Sequence, residues 1–322
     1  VDALAPLEPP SEVTRSASAD AFALLLADKR SPATRKAYRQ SLVHFFGHTP
    51  TPEEVKAFAG LPRPQIALRL NAYKSGLLAH GCSEATVNLR LAALRSLLKL
   101  CHRLGYSETD GSGLVDGEKA RAYRDTRGIG LPAMRALVAA PGTDTLKGLR
   151  DTALLRLLLE NGLRRSEVVA ANVGDFSLAD RRLLILGKGR GTQKEPITLT
   201  EAATRAISDY LGAAGHGQDL EAALFLNLSH RPDVTGGRLT GDGLFFLVRE
   251  YGEQIGVANL TPHKLRHSAI TAALDATNGD VRRVQRLSRH AQVQTLLRYD
   301  DNRQDLQGGV TRLLSGLLNA EG

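Results

Sequence analysis

Arg164, Lys188, His263, Arg266, His290 and Tyr299 are the residues of this chain whose types could do chemistry together. Packing gives no reason for two arginines, a lysine and two histidines to accompany one tyrosine. A phosphodiester attacked by the tyrosine does. Arginine presents a planar fork that matches phosphate oxygens, and a tyrosine oxygen can form a covalent intermediate. No G-x-S-x-G elbow, G-x-x-x-x-G-K-[ST] loop or paired-cysteine motif offers a competing chemistry.

The local sequence gives each residue a setting. Thr261 reads as a helix cap and Pro262 as the first helical residue. His263 and Arg266 then share one face of the first turn, where free N–H groups and the helix dipole attract anions. His263 and His267 are also spaced as metal ligands can be, but no Glu follows His263 and no cysteine or acidic ligand is near. Phosphate binding is the stronger expectation there, and no metal or cofactor is expected. Arg164 lies in Gly162-Leu-Arg-Arg-Ser-Glu167, between a helix closed by Asn161-Gly162 and one opened by Ser166-Glu167. Lys188 lies in a Gly-flanked turn, Gly187 to Gly191, between short strands at Leu183 to Leu186 and Glu195 to Leu199. His290 ends one helix and Tyr299 ends the next.

The elements that must hold these residues fall into two groups. Val1 to Ala19, with Pro6, Pro9 and Pro10, reads as a flexible arm. Residues 20–110 read as an all-helical domain. It has a short helix from Asp20 to Asp28, one starting at Ser31-Pro32, one from Ile66 to Leu78 and one from Ser83 to Gly105. The last carries the apolar stripe Val87, Leu91, Leu94, Leu97 and Leu98. Residues 111–130 read as a linker, and a second domain fills 131–322. Its helices are expected at Thr152 to Glu160, Glu201 to Leu211, Gly243 to Ile255, Pro262 to Ala276 and Val281 to Leu287, besides the one ending near Tyr299. The fold class is mainly α with a small antiparallel β-sheet, in two domains.

The bulk composition agrees. A length of 322 residues suggests two domains. Forty-two Lys and Arg against thirty-four Asp and Glu give a net charge of +8, which favours a polyanionic partner such as nucleic acid. Cys82 and Cys101 are too few for a disulfide framework and read as free thiols. No apolar run is long enough for a membrane span, and the first residues do not resemble a signal peptide, so a cytoplasmic, nucleoid-associated protein is expected.

Taken in order, Thr152 to Asp175, the Gly187-Lys188-Gly189 turn, Thr261-Pro-His-Lys-Leu-Arg-His267 and His290 to Tyr299 resemble the tyrosine recombinases, the phage-integrase and Xer-type site-specific recombinases. Ser31-Pro-Ala-Thr-Arg-Lys-Ala-Tyr38 and Ser83 to Tyr106 resemble that family's helical core-binding domain. The resemblance implies an N-terminal core-binding domain and a C-terminal mixed α/β catalytic domain. It implies that Tyr299 attacks a DNA phosphate and forms a 3′-phosphotyrosyl bond. His263 is then the base, Lys188 the acid, Arg164 and Arg266 the clamp, and His290 a donor to the same phosphate. Glu167 buttresses the site, since a carboxylate facing phosphate would repel it. Rejoining needs no ATP.

Double-stranded DNA carrying a recombination site is the expected partner. Arg35, Lys36, Arg39, Arg90, Arg95, Lys99 and Arg289 are DNA-binding candidates. For the basic helices, the plain alternative is a solvated charged face. A tetramer on DNA is implied, with a second recombinase or accessory protein as a further partner. The apolar stripe Val310, Leu313, Leu314 and Leu317 either packs into a neighbouring protomer or folds back on its own domain. One departure stands out: the family usually has Leu-Gly-His where this chain has Ser288-Arg289-His290. Two other readings remain, a type IB topoisomerase and a DNA-binding protein that has lost catalysis.

Overall fold

The computed structural model describes residues 20–119, 128–187, 191–228, 236–290, 292, 293, 296 and 306–319. Lys188, Tyr299, most of the helix expected before Tyr299, and the N-terminal arm lie outside the described residues. The chain forms two compact units divided near residue 121.

The first unit holds α1 (Ala21–Asp28), α2 (Pro32–Phe46), α3 (Pro52–Ala59), α4 (Arg63–Ala79) and α5 (Glu84–Arg103). Polar caps set the helix starts. Asp20, Ser31, Thr51 and Ser83 each accept a hydrogen bond from a backbone N–H of the first turn, and Pro32 follows Ser31 directly. Helix α3 carries a full capping box between Thr51 and Glu54. Helix α5 is the spine. Val87, Leu91, Leu94, Leu97 and Leu98 are buried on it, and α1 to α4 pack around it. Each such leucine contributes about 1.5–3 kcal/mol by leaving water.

The segment expected to begin the linker belongs to this unit. Gly111–Gly113 forms one 3₁₀ turn packed against α5, and Val115 is buried. The Asn88 side chain donates to the Glu118 carbonyl at 2.9 Å and accepts from the Glu118 N–H at 2.8 Å. Lys74 pairs with the Glu118 carboxylate at 2.7 Å. Paired polar groups spaced along α4 and α5 hold what composition alone marks as loose chain. At the other end, the Ile129 N–H donates to Ser268 Oγ at 2.8 Å, which ties residues before 131 to the second unit.

The second unit holds α6 (Leu131–Ala139), α7 (Leu146–Glu160), α8 (Arg165–Val169), and a three-stranded antiparallel sheet of β1 (Phe176–Ser177), β2 (Arg182–Leu186) and β3 (Lys194–Thr198). Next come α9 (Glu201–Ala214), α10 (Gly241–Gln254), α11 (Pro262–Ala276) and α12 (Val281–Ser288). A helix over Leu306–Asn319, α13, follows. Strand β2 alternates, with Leu183 and Ile185 buried, and pairs with β3 in the register Leu183↔Ile197 and Ile185↔Glu195. Helix α7 is buried along most of its length and packs against α6, α9 and α11. It begins six residues before the expected Thr152, capped by Thr145. Two of the polar residues that obscured this start, Arg150 and Asp151, are themselves buried. Asp151 is fully buried and accepts from Arg150 Nε at 2.8 Å and from the Tyr251 hydroxyl at 2.9 Å.

The fold thus matches the expected class, mainly helical with one small antiparallel sheet. Among the described residues, no helix is long and apolar enough to cross a membrane.

Candidate active site

Three chain reversals bring the site together. The first follows α7, where Gly162 adopts φ +55° and lets the chain turn into α8. Arg164 is the residue before α8, so its side chain leaves the loop between two rigid helices. The second is the start of α11. Thr261 caps it through the Lys264 N–H at 3.2 Å, Pro262 follows, and His263 lies in the first turn as expected, while Arg266, the fifth helical residue, begins the second turn on the same face. The third is the end of α12, where Arg289 adopts φ +56° and turns the chain so that His290 comes next.

Arg266 joins all three. It is 2% exposed and donates from Nη1 to the Gly162 carbonyl and from Nη2 to the Ser288 carbonyl. Its Nη2 also lies 3.2 Å from His290 Nε2. An arginine can only donate, so Nε2 accepts there and the neutral ring carries its proton on Nδ1. One guanidinium therefore fixes the loop before Arg164, the end of α12 and the His290 ring.

Glu167 organises the rest. It is fully buried, accepts from the Arg164 backbone N–H on Oε2 at 2.8 Å, and holds Arg164 Nη1 on Oε1 at 2.7 Å. Burial alone would raise its pKa. The Arg164 N–H, the Arg289 charge and the Arg164 guanidinium outweigh that and hold the carboxyl below the usual carboxylate range. Glu167 thus ties Arg164 and Arg289 together through one buried carboxylate.

The histidines feel the same positive field. Local desolvation, then the Arg266 charge, then the Arg164 charge push His263 below the ordinary histidine value, though the residue stays exposed to solvent. His290 is pushed down to about 4, by burial first and then by Arg266, Arg164 and Arg289. Both shifts favour the neutral ring, which is the state a general base requires. For His290 the folded value lies below the unfolded 6.5, so folding favours the neutral ring. That stabilisation is complete above pH 6.5 and is lost as pH falls toward 4. We expect the melting temperature of the DNA-free protein to fall through this window, and the fall to be shallower in His290→Gln. Equal slopes in the two proteins would show that His290 is not the group responsible.

The structure thus brings Arg164, Glu167, His263, Arg266 and His290 into one cluster. Lys188 and Tyr299 lie outside the described residues; β2 ends at Leu186, which pairs with Lys194 at the start of β3.

Three expected DNA contacts, Arg95, Arg289 and Arg90, are engaged within the protein. Arg95 donates through Nε to the Val115 carbonyl at 3.2 Å, because α5 uses it to hold the chain after the 3₁₀ turn. Arg289 is only 9% exposed at its side chain and pairs with Glu167 Oε2 at 3.0 Å. Its side chain also donates to the Leu287 and Asn161 carbonyls. Arg90 donates to His44 Nε2 at 2.9 Å. Arg35, Lys36, Arg39 and Lys99 are exposed on α2 and α5. Sequence reasoning missed the Ser288 carbonyl and Glu195, which lies 3.8 Å from Arg289 Nε. A non-glycine residue ending a helix before a site histidine was the one available signal.

The model of the phage integrase family matches residues 133–305, and that of its N-terminal SAM-like domain matches residues 20–104. A tyrosine recombinase of Synechococcus elongatus is 43% identical over 307 residues, covering 93% of this chain and 94% of that protein. A tyrosine recombinase XerC of Roseiflexus castenholzii is 33% identical over 296 residues, 86% of each. The fold is similar to that of a XerH site-specific recombinase bound to a palindromic difH substrate in a post-cleavage complex. The TM-score is 0.61 at 18% identity, over 88% of this chain and 80% of that one. It is also similar to that of a lambda integrase dimer bound to a COC' core site, at TM-score 0.59 and 16% identity, over 88% of this chain and 75% of that one.

Proposed function

The chain belongs to the phage integrase family and is a tyrosine recombinase, a DNA strand transferase, and from that premise we propose that it cleaves and rejoins DNA through a 3′-phosphotyrosyl intermediate on Tyr299. The observation that carries this reading is the convergence of Arg164, His263, Arg266 and His290 on one place from segments far apart in sequence.

The step balances on this chain's own groups. The Tyr299 oxygen bonds to phosphorus and the bond from phosphorus to the 5′ oxygen breaks. His263 takes the phenol proton, and Lys188 gives a proton to the departing oxygen. Arg164 and Arg266 stabilise the charge that grows on the non-bridging oxygens. A phosphodiester arriving at Arg266 competes with His290 Nε2 for its N–H, which frees His290 to take up a proton and donate to the same phosphate. Rejoining reverses these steps, because the phosphotyrosyl bond retains the phosphodiester energy. No step calls on ATP or a metal. The partner is duplex DNA bearing a specific site, with phosphate contacts supplying most of the affinity. Trapping a covalent complex on a nicked substrate tests the reading. Specific DNA binding with no covalent product would leave a binding protein instead.

Recombination between two duplexes uses four such sites, and α13 supports an oligomer of this chain. Val310, Leu313, Leu314 and Leu317 are 57%, 70%, 54% and 74% exposed, so this apolar stripe is not covered by the chain's own described residues. A chain ending before Leu306 is expected to bind DNA but to give only one-protomer complexes in sedimentation. Unchanged higher complexes would remove α13 from assembly.

A further inference from the structure

Arg289 stands where the family usually has glycine, and its surroundings give it a task. Three features define its setting. Its backbone is left-handed at φ +56°, a conformation that suits glycine better than arginine. Its side chain is 9% exposed, and its Nη1 is held by the Leu287 carbonyl at 2.7 Å and the Asn161 carbonyl at 3.4 Å. Its Nη2 lies 3.0 Å from Glu167 Oε2, while Arg164 Nη1 lies 2.7 Å from Oε1 of the same carboxylate.

The charges decide what this sharing does. Glu167 is fully buried and ionised, so it needs a positive partner. With Arg164 as its only close partner, one negative group would cancel one positive group beside the phosphate. With Arg289 present there are two positive groups for one negative, and one positive charge remains. Glu195, 3.8 Å from Arg289 Nε and 27% exposed, is farther away and better solvated, so it offsets less.

We propose that Arg289 is a positioning residue: it supplies the counter-charge for buried Glu167, so that Arg164, held on the other carboxylate oxygen, keeps its charge for the phosphodiester. The proposal rests on the strand-cleavage reading above. It assigns the departure from Leu-Gly-His a role inside the protein instead of on DNA.

The test is a cycle of wild type, Arg289→Gly, Glu167→Gln and the double variant, with Arg289→Lys as the conservative control. Single-turnover formation of the covalent complex on nicked DNA is the readout. Glycine suits the backbone at this position, so the substitution removes the side chain without adding strain. Arg289→Gly is expected to slow cleavage by about tenfold, a coupling typical of groups in direct contact. Arg289→Lys should stay close to wild type. In the Glu167→Gln background, Arg289→Gly should lose most of its effect, because no buried charge is left to offset. A wild-type rate for Arg289→Gly, or the same loss in both backgrounds, overturns the proposal. If the wild type forms no covalent complex, the strand-cleavage reading fails instead. The four proteins melted without DNA then still decide whether Arg289 serves Glu167: strictly additive changes in melting temperature would show that it does not.

Discussion

Tyr299→Phe is expected to form no covalent complex with DNA while binding it with nearly wild-type affinity and the same dependence on salt. The substitution removes one oxygen and leaves the ring. If that oxygen is the nucleophile, no other group of the site can replace it. The arginines stabilise charge but cannot attack, and a histidine that attacked would leave a phosphohistidine, not a stable phenol ester. Of the six other tyrosines, Tyr123 lies outside the described residues and the remaining five have other settings. Tyr210 is fully buried with its hydroxyl on the Leu226 N–H at 3.0 Å, and the Tyr251 hydroxyl donates to buried Asp151 at 2.9 Å. Tyr38, Tyr73 and Tyr106 belong to the first unit. Tyr299 follows His290, and His290 is in the site. An ordinary tyrosine has a pKa of about 10, so attack at neutral pH needs the base and the positive field that Arg164 and Arg266 provide. Binding depends on many Lys and Arg contacts to phosphate, so losing one hydroxyl should leave the slope of log affinity against log salt unchanged. A covalent product from Tyr299→Phe would move the nucleophile elsewhere. A large loss of affinity would mean that the hydroxyl is a binding contact.

How far the sequence foretold this depends on the range of the forces involved. Helix starts were legible where a cap and a proline stood together, as at Ser31-Pro32 and Thr261-Pro262, because capping is decided within one turn. The Thr51 and Glu54 capping box that opens α3 was just as local and was overlooked. The start of α7 was hidden, because Lys147, Arg150 and Asp151 look like surface residues until Tyr251 and the Leu226 carbonyl arrive from elsewhere to pair with them. The site divides the same way. The face shared by His263 and Arg266 is a property of one helical turn. The sharing of Glu167 between Arg164 and Arg289 joins residues over a hundred positions apart, and no spacing rule reaches that far. The same limit explains the linker. Asp110 to Gly113 has the composition of loose chain, yet Asn88 and Lys74 hold the residues after it.

Arg266 should give the second large effect, and its two duties can be separated. Arg266→Ala removes the donor from the buried Gly162 and Ser288 carbonyls. An unsatisfied buried carbonyl costs about 1–3 kcal/mol, so a melting temperature lower by roughly 5 °C or more is expected for a domain of this size. The same variant should cleave about 10²–10³ times more slowly, as when one preorganised donor to a developing oxyanion is lost. Arg266→Lys keeps the charge but not the fork. A lysine can reach one carbonyl but not span both while also addressing a phosphate oxygen. It should therefore recover part of the lost stability and little of the rate. Single-turnover cleavage, measured well below the melting temperature of the weaker variant, keeps the two effects apart. If Arg266→Lys restored rate and stability together, Arg266 would act only through the fold, holding Gly162 and Ser288 so that Arg164 and His290 face each other. If Arg266→Ala melted like the wild type, the two carbonyl bonds would contribute nothing to stability, and the account of how α7, α11 and α12 are tied at the site would be wrong.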